Sequence, residues 1–267
     1  MILFKNMKKK NNNIVLSLKN INKIYSLSDG KKFYALKNIN IDIGKGDRIG
    51  IIGDNGAGKT TLLKIISGIT KQTSGEIKRQ GKIVSLMDLE SGFDPELTGY
   101  ENILVNGLLI GMTKKEIITK LPSIIHFADI GNFINEPFYI YSAGMKFRLA
   151  IAIAITSLCE ILIIDEILMS GDINFQNKVI HTLQTLQKKT NITMIICSHI
   201  PETIWSLANT FYVVKNGSIK KIDRNEVKKL TLIHHVQFHK TFKTEDIKEF
   251  NTKKINSSIN KKTLAKK

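Results

Sequence analysis

The stretch that most constrains the fold is "GDNGAGKTT", from Gly53 to Thr61, which lies between the apolar runs "RIGII" and "LLKIISG". It fits the pattern G-x-x-x-x-G-K-[ST], and an apolar strand before it and a helix after it are the context that this pattern requires. Glycines let the backbone curl until successive N–H groups face inward, and the N-terminus of the following helix adds its positive partial charge. The stretch therefore predicts a strand–loop–helix unit that binds an anion.

The lysine and threonines of this loop indicate that the anion is the triphosphate group of a nucleotide such as ATP. Lys59 is expected to reach the β- and γ-phosphates, and the Thr60 hydroxyl is expected to coordinate Mg²⁺. Gly68 is a plausible end for the helix. The residues expected to contact the nucleotide here are Gly53, Asp54, Asn55, Gly56, Ala57, Gly58, Lys59, Thr60 and Thr61.

A second candidate site follows the apolar run of "ILIIDE". Four apolar residues predict a buried strand, and Asp165 would emerge at its carboxyl end, where α/β sheets place their ligand sites. Asp165 is expected to hold Mg²⁺, and Glu166 to take a proton from the water that attacks the γ-phosphate.

The order of apolar segments predicts an α/β domain with a mostly parallel sheet. Short runs rich in Ile and Val alternate with longer helical patterns between residues 14 and 220. Helix starts are predicted by capping boxes, Thr98 with Glu101 and Thr113 with Glu116, and by Asp172 as an N-cap. Residues 1–13 are expected to be a basic extension and residues 221–267, with thirteen Lys or Arg against five Asp or Glu, a polar and partly disordered tail.

Charge and cysteine content narrow the function classes. The net charge of +17 favours acidic partners, but only four of the 40 basic residues are arginine, the residue that suits bidentate recognition of bases and phosphates. We therefore attribute the positive charge to a genome rich in A and T, whose codons favour lysine, rather than to a specific nucleic-acid role. Cys159 and Cys197 lie in apolar segments and are expected to pack in the core of a protein from a reducing compartment. Neither a membrane-spanning segment nor a secretion signal is predicted.

One further segment, "YSAGMKFRLAIAIAI", predicts a helix capped by Ser142 about twenty residues before the Asp165 strand. It resembles the signature of the ATP-binding cassette (ABC) ATPases, Leu-Ser-Gly-Gly-Gln, which here reads Tyr-Ser-Ala-Gly-Met from Tyr141. The Ser142 hydroxyl, the Gly144 N–H and the helix N-terminus can all face a phosphate.

The resemblance extends from Ile14 to about Lys220. It implies a P-loop NTPase fold of the ABC type, with an inserted helical subdomain at about 86–157 and a small antiparallel β subdomain. It also implies a stacking contact of Tyr25 with adenine, a D-loop at Gly171 and Asp172, and a contact of His199 with the γ-phosphate.

The resemblance also implies partners. Cassettes close head to tail around two ATP molecules, so a chain with one loop and one signature is expected to form a homodimer and to bind separate transmembrane permease subunits. "ESGFDPELTGYENILVNGLLIGM" resembles the ATPases of bacterial polysaccharide exporters, which places the chain at the cytoplasmic face of the cell membrane. Pro95, Glu96 and Tyr100 are candidates for the edge of the permease contact.

Some features depart from the family or remain open. The glutamine that touches Mg²⁺ in the family is not evident, and Asp88 or Glu90 is the candidate replacement. A metal site at His234, His235 and His239 is a minor alternative. Two other functions stay open: a soluble cassette ATPase that acts on nucleic acid or ribosomes, and a transporter subunit for another substrate.

Overall fold

The computed structural model describes residues 13–87, 92–165, 172–198 and 204–230. None of the helices in these ranges combines the length and the apolar character needed to traverse a bilayer. The strands are β1 (Ile14–Ser26), β2 (Lys32–Gly44), β3 (Arg48–Ile52), β4 (Ser74–Arg79), β5 (Ile83–Ser85), β6 (Ile161–Ile164), β7 (Thr193–Ser198), β8 (Thr210–Lys215) and β9 (Ser218–Ile222). The α-helices are α1 (Lys59–Ser67), α2 (Gly99–Leu109), α3 (Lys114–Ala128), α4 (Ala143–Thr156) and α5 (Ile173–Thr190), and residues 224–230 form a further helix, α6.

The central sheet has six strands in the order β5-β6-β7-β3-β8-β9, all parallel except β9, which pairs antiparallel with β8. All four residues of β6 are buried, because helices or a second sheet cover both faces. Leu162 and Ile164 belong to the hydrophobic core on one face, and Ile161 and Ile163 to the core on the other. The mostly parallel sheet predicted from the Ile- and Val-rich runs is thus confirmed.

Different elements cover the two faces of this sheet. On one face, α4 and α5 pack through side chains such as Ile151, Phe175 and Leu183. On the other face, α1 packs through residues including Leu62 and Ile66, together with the three-stranded antiparallel sheet β2-β1-β4. The phosphate-loop helix therefore lies between the central sheet and the small β subdomain.

The helical subdomain consists of α2, α3 and α4 around a third hydrophobic core. Both predicted capping boxes are present: Thr98 accepts from the backbone N–H of Glu101, and Thr113 accepts from that of Glu116. Two short 3₁₀ helices, Gly131–Asn135 and Phe138–Ile140, connect α3 to α4. They lead directly into the segment that begins at Tyr141.

The folded domain continues past the boundary expected at residue 220. Ile222 ends β9 with 7% of its surface exposed, and Val227 on α6 is completely buried in the core that α4 and α5 share. Arg224 lies over the ring of Trp205 at 4.5 Å. The first ten residues of the expected tail thus belong to the domain. Residues 231–267, with His234, His235 and His239, lie outside the described ranges, as do residues 1–12.

Candidate functional site

The loop after β3 passes so close to neighbouring strands that only glycine fits at two of its positions. A Cβ atom on Gly53 would lie 2.4 Å from the carbonyl oxygen of Val214 in β8. A Cβ atom on Gly58 would lie 2.5 Å from the carbonyl oxygen of Ala35 in β2, and the φ of Gly58 is +107°. These contacts give the structural reason for the two glycines that define the pattern.

The N-terminus of α1 lies at the end of this loop. Gly58 is the N-cap, and within the described part of the chain no side chain caps this end of α1. By contrast, Thr98 and Thr113 cap α2 and α3. The first N–H groups of a helix have no partner within the helix, so those of α1 are suited to bind an anion.

Lys59 is buried inside the loop and is held by it. The Lys59 residue is 5% exposed. Its Nζ donates to the carbonyl oxygens of Gly53, at 2.7 Å, and Asp54, at 3.0 Å. A lysine is rarely buried without compensating partners. The contacts fix the ammonium group across the loop, in the region that the glycines and the N-terminus of α1 surround.

The strand register brings Asp165 to the same edge of the sheet as this loop. Gly50 in β3 pairs with Ile196 in β7, and Ile196 pairs with Ile164 in β6. Asp165 follows Ile164, two strands away from β3, which corresponds to about 10 Å between the strands. The carboxyl ends of the three strands therefore face the same side as the loop.

The donor set at this edge suits Mg²⁺. Thr60 offers a hydroxyl and Asp165 a carboxylate, and Mg²⁺ prefers a few such oxygens together with water and phosphate oxygens. The described ranges contain no cluster of three or more His, Cys, Asp or Glu side chains that could hold a metal. The protein groups thus fit an ion bound together with a nucleotide rather than an all-protein metal cage.

Several residues expected at this site fall outside the described ranges. They are Asp88 and Glu90, Glu166, Gly171 and His199. The ends of the neighbouring strands are described, however: β5, β6 and β7 all reach the edge at which Asp165 lies. The roles assigned to these residues from the sequence stay predictions.

Tyr25 lies at the end of the β1–β2 strand pair. It pairs with Phe33, two residues before Ala35, whose carbonyl oxygen faces Gly58. The Tyr25 residue is 39% exposed, and the Nζ of Lys23 lies 4.8 Å from its ring centroid. An exposed aromatic ring on the strand pair beside the loop is able to stack on a base.

The predicted signature begins α4, and its Ser142 and Ala143 are exposed. Ser142 is the N-cap, and its Oγ accepts from the N–H of Met145 at 3.2 Å. A Cβ atom on Gly144 would meet nothing closer than the Ser142 Oγ, at 3.9 Å. Helix α4 packs against α2 and α3, whereas the phosphate loop packs against β2 and β8. Because Ser142 and Ala143 are exposed, this helix N-terminus is accessible to another molecule.

Tyr141, which stands where the family usually has leucine, is a structural residue of the helical subdomain. It is 4% exposed, and its hydroxyl donates to the carbonyl oxygen of Phe133. Its ring contacts those of Phe133 and Phe138, with centroids 6.4 Å and 5.1 Å away. Burial raises the pKa of Tyr141 to about 12, so the hydroxyl remains a donor at physiological pH.

Removing this hydroxyl should destabilise the protein without affecting the phosphate loop. We expect Tyr141→Phe to lower the free energy of unfolding by about 0.5–1.5 kcal/mol, because one hydrogen bond is lost while the Phe133 carbonyl keeps the N–H of Glu136 as a donor. Urea unfolding followed by circular dichroism measures the change. Tyr139→Phe is the matched control, since Tyr139 is 58% exposed in the same segment. Equal effects of the two substitutions would contradict the role of the buried hydroxyl.

Sequence reasoning missed the contacts that the loop makes with distant strands and one ion pair of the signature helix. Nothing in the local sequence indicates that Ala35 and Val214 lie against the loop. One property of the sequence could have pointed to the ion pair of Arg148 with Asp172: Arg148 is one of only four arginines in a chain whose basic residues are mostly lysine.

The glycine loop, its buried lysine and the acidic residue on the adjoining sheet edge define a phosphate-loop nucleotide-binding protein. A family model described as ABC transporter matches residues 36–169, which is half of the chain, and the chain belongs to this family. The resemblance inferred from the sequence is thereby confirmed.

The chain is similar to curated proteins and to solved structures. It is 36% identical over 202 residues to the O-antigen export system ATP-binding protein RfbB of Klebsiella pneumoniae, covering 76% of this chain and 82% of that protein. It is 40% identical over 198 residues to the teichoic acids export ATP-binding protein TagH of Shouchella clausii, covering 74% and 54%. The post-hydrolysis structure of the cassette MJ0796 bound to ADP and Pi has a TM-score of 0.68 and 24% identity, covering 78% and 99%. The last match shows the ABC cassette fold.

Proposed function

We propose that this chain is the ATP-hydrolysing subunit of a bacterial ABC exporter of lipid-linked polysaccharide, of the O-antigen, capsule or teichoic acid type. One observation carries the proposal: the cassette aligns over about 200 residues with export ATP-binding proteins of this kind, at 36% and 40% identity. The geometry of the site supports the ATPase part independently.

The loop and Tyr25 would bind ATP together. The N–H groups around Gly56 and the start of α1 would surround the β- and γ-phosphates, with Lys59 as their positive counterpart. Tyr25 would stack on the adenine, since its ring is exposed beside the loop. The hydrogen bonds from Lys59 to the Gly53 and Asp54 carbonyl oxygens would keep its ammonium group within the loop.

Hydrolysis would use groups from the carboxyl edge of the sheet. Thr60 and Asp165 would hold Mg²⁺, which neutralises charge on the phosphate oxygens. Glu166, directly after Asp165, would take the proton from the attacking water, and His199, directly after β7, would contact the γ-phosphate. Because β6 and β7 are neighbours, residues that follow them start from adjacent positions.

A second copy of the chain would complete each nucleotide site. Ser142 and Gly144 lie on an exposed helix N-terminus, on a different element from the phosphate loop. In a head-to-tail homodimer, this N-terminus would face the γ-phosphate bound by the other copy. ATP would then favour the closed dimer and hydrolysis the open one.

The permease would bind at an apolar groove between the central sheet and the helical subdomain. The groove has a volume of about 380 Å³ and is lined by residues including Ile69, Phe93, Leu109 and Ala150. Leu109 is 66% exposed and Ile69 54%, so both offer apolar surface at this groove. Pro95, Glu96 and Tyr100 follow Phe93 along the chain and would form the edge of the contact.

This arrangement would place the chain on the cytoplasmic face of the membrane as a peripheral subunit. The basic segments around Lys8 and after Lys253 would add attraction to anionic lipid, although both lie outside the described ranges. Each lysine near such a surface contributes ~1 kcal/mol.

Depletion of the chain in its host tests the exporter function. We expect loss of surface polysaccharide and accumulation of the lipid-linked precursor inside the cell, because the export step lacks its energy source. Antibody labelling of intact cells and extraction of the lipid-linked pool measure the two effects. The parent chain should restore export, and Lys59→Ala should not. Normal surface polysaccharide, with the chain recovered on ribosomes instead, would favour the alternative soluble ATPase.

A further inference from the structure

Arg148 on the signature helix joins α4 to the start of α5. Its Nη2 donates to the Oδ2 of Asp172 at 2.6 Å, and its Nη1 lies 3.5 Å from the Oδ2 of Asp129, which ends α3. The other carboxylate oxygen of Asp172 accepts from the N–H of Phe175 at 3.0 Å, which caps α5. A single guanidinium group therefore connects three helices.

The surroundings of Arg148 restrict its movement. Its side chain is 22% exposed, and its guanidinium carbon lies 4.7 Å from the ring centroid of Phe175. That ring is buried and has edge contacts with Phe147 and Phe127 at 6.0 Å and 5.7 Å. A planar guanidinium can stack on an aromatic ring and bond to a carboxylate at the same time, which lysine cannot do in the same way.

The ionisation of the Asp172 carboxyl agrees with this geometry. The N–H of Phe175 and then the guanidinium of Arg148 lower the pKa of the Asp172 carboxyl below its usual value. Asp172 is therefore ionised at neutral pH. The Asp129 carboxylate is a weaker partner, because its side chain is 74% exposed and its contact is longer.

Arg148 joins α4 to the start of α5, and both helices begin close in the sequence to residues with a proposed role in ATP hydrolysis. Arg148 lies six residues after Ser142 on one helix, which corresponds to about 9 Å along the axis. Asp172 lies six residues after Glu166 and seven after Asp165 in the sequence. Arg148 therefore links the helix that begins at the Ser142 cap to the residue that caps α5.

We propose that Arg148 is a positioning residue that couples the signature helix to Asp172 at the start of α5, so that contact of α4 with the partner-bound nucleotide supports turnover through this ion pair. This inference rests on the proposed function. It differs from a purely structural role, because a coupling defect lowers turnover while leaving ATP binding and the folded state in place.

Four variants of the full chain test the coupling. They are Arg148→Gln, Asp172→Asn, the double variant, and the control Asp129→Asn, which removes the other acidic partner of the same guanidinium. Asn is as good an N-cap as Asp and tolerates the left-handed conformation of residue 129, so both helix ends should persist. Steady-state ATP hydrolysis gives kcat and KM, and thermal unfolding gives Tm.

We expect kcat to fall about tenfold in Arg148→Gln and in Asp172→Asn, with KM for ATP changed less than about twofold. The double variant should lose no more than the worse single variant, because the two residues act as one unit. Asp129→Asn should stay within about twofold of the parent. The changes in Tm should not follow the order of the changes in kcat.

Three results would overturn the coupling while leaving the ATPase assignment intact: parent-like kcat in Asp172→Asn, an equal loss in Asp129→Asn, or losses that multiply in the double variant. A parent chain that binds ATP but does not hydrolyse it would instead overturn the proposed function, and the coupling with it.

Discussion

Glu166→Gln is expected to abolish ATP turnover while ATP still binds. Glutamine has the size of glutamate but cannot accept the proton of the attacking water, so kcat should fall by about 10²- to 10⁴-fold. Because the phosphate loop is unchanged, the affinity for ATP should remain. Hydrolysis is then blocked at the closed state, so a dimer stable in ATP should accumulate. Phosphate release and size-exclusion chromatography with light scattering measure the two effects.

Glu160→Gln is a matched control for this substitution. Glu160 precedes Ile161, at the opposite end of the strand that Asp165 follows, and its Oε2 accepts from the N–H of Lys82 at 2.6 Å. A glutamine carbonyl can still accept that bond, so the control should retain the parent kcat. If Glu166→Gln hydrolysed ATP at the parent rate, another group would have to accept the proton.

Lys59→Ala is expected to weaken nucleotide binding itself. The substitution removes a buried ammonium group that donates to the Gly53 and Asp54 carbonyl oxygens. Loss of a charged hydrogen-bonding group from the phosphates should weaken ATP binding roughly 10- to 100-fold. Titration with a fluorescent ATP analogue measures the dissociation constant directly, without requiring turnover.

Lys64→Ala on the same helix is the control for lost charge. Lys64 lies in the last turn of α1, where a cation interacts with the opposite end of the helix dipole, so its removal should leave nucleotide affinity unchanged. Thermal unfolding of both variants shows whether either loses its fold. Parent-like affinity in a folded Lys59→Ala protein would refute the phosphate contact.

Local patterns in the sequence predicted the helix ends correctly. Thr98, Thr113, Ser142 and Asp172 all cap helices as expected. Each cap depends on hydrogen bonds between residues three positions apart, so the neighbouring sequence contains nearly all the information required. Gly68 ends α1 in a left-handed conformation, again as expected.

The extent of the domain could not be predicted in the same way. Residues 221–230 read as part of a polar basic tail, yet Ile222 and Val227 pack into the core beside α4 and α5. Two buried side chains are too few to give a clear hydrophobic period in a lysine-rich segment. Their burial depends on a surface that residues far away in the chain provide.

The phosphate loop, the order of strands and helices and the family were predictable from the amino-acid sequence, because these depend on residues adjacent along the chain. Three features become visible only in the folded protein: the strands that lie against Gly53 and Gly58, the bond from the Tyr141 hydroxyl to the Phe133 carbonyl, and the ion pair of Arg148 with Asp172. Such contacts join residues that are distant in the sequence, and their strength depends on burial, which appears only when the sheet and the helical subdomain have packed.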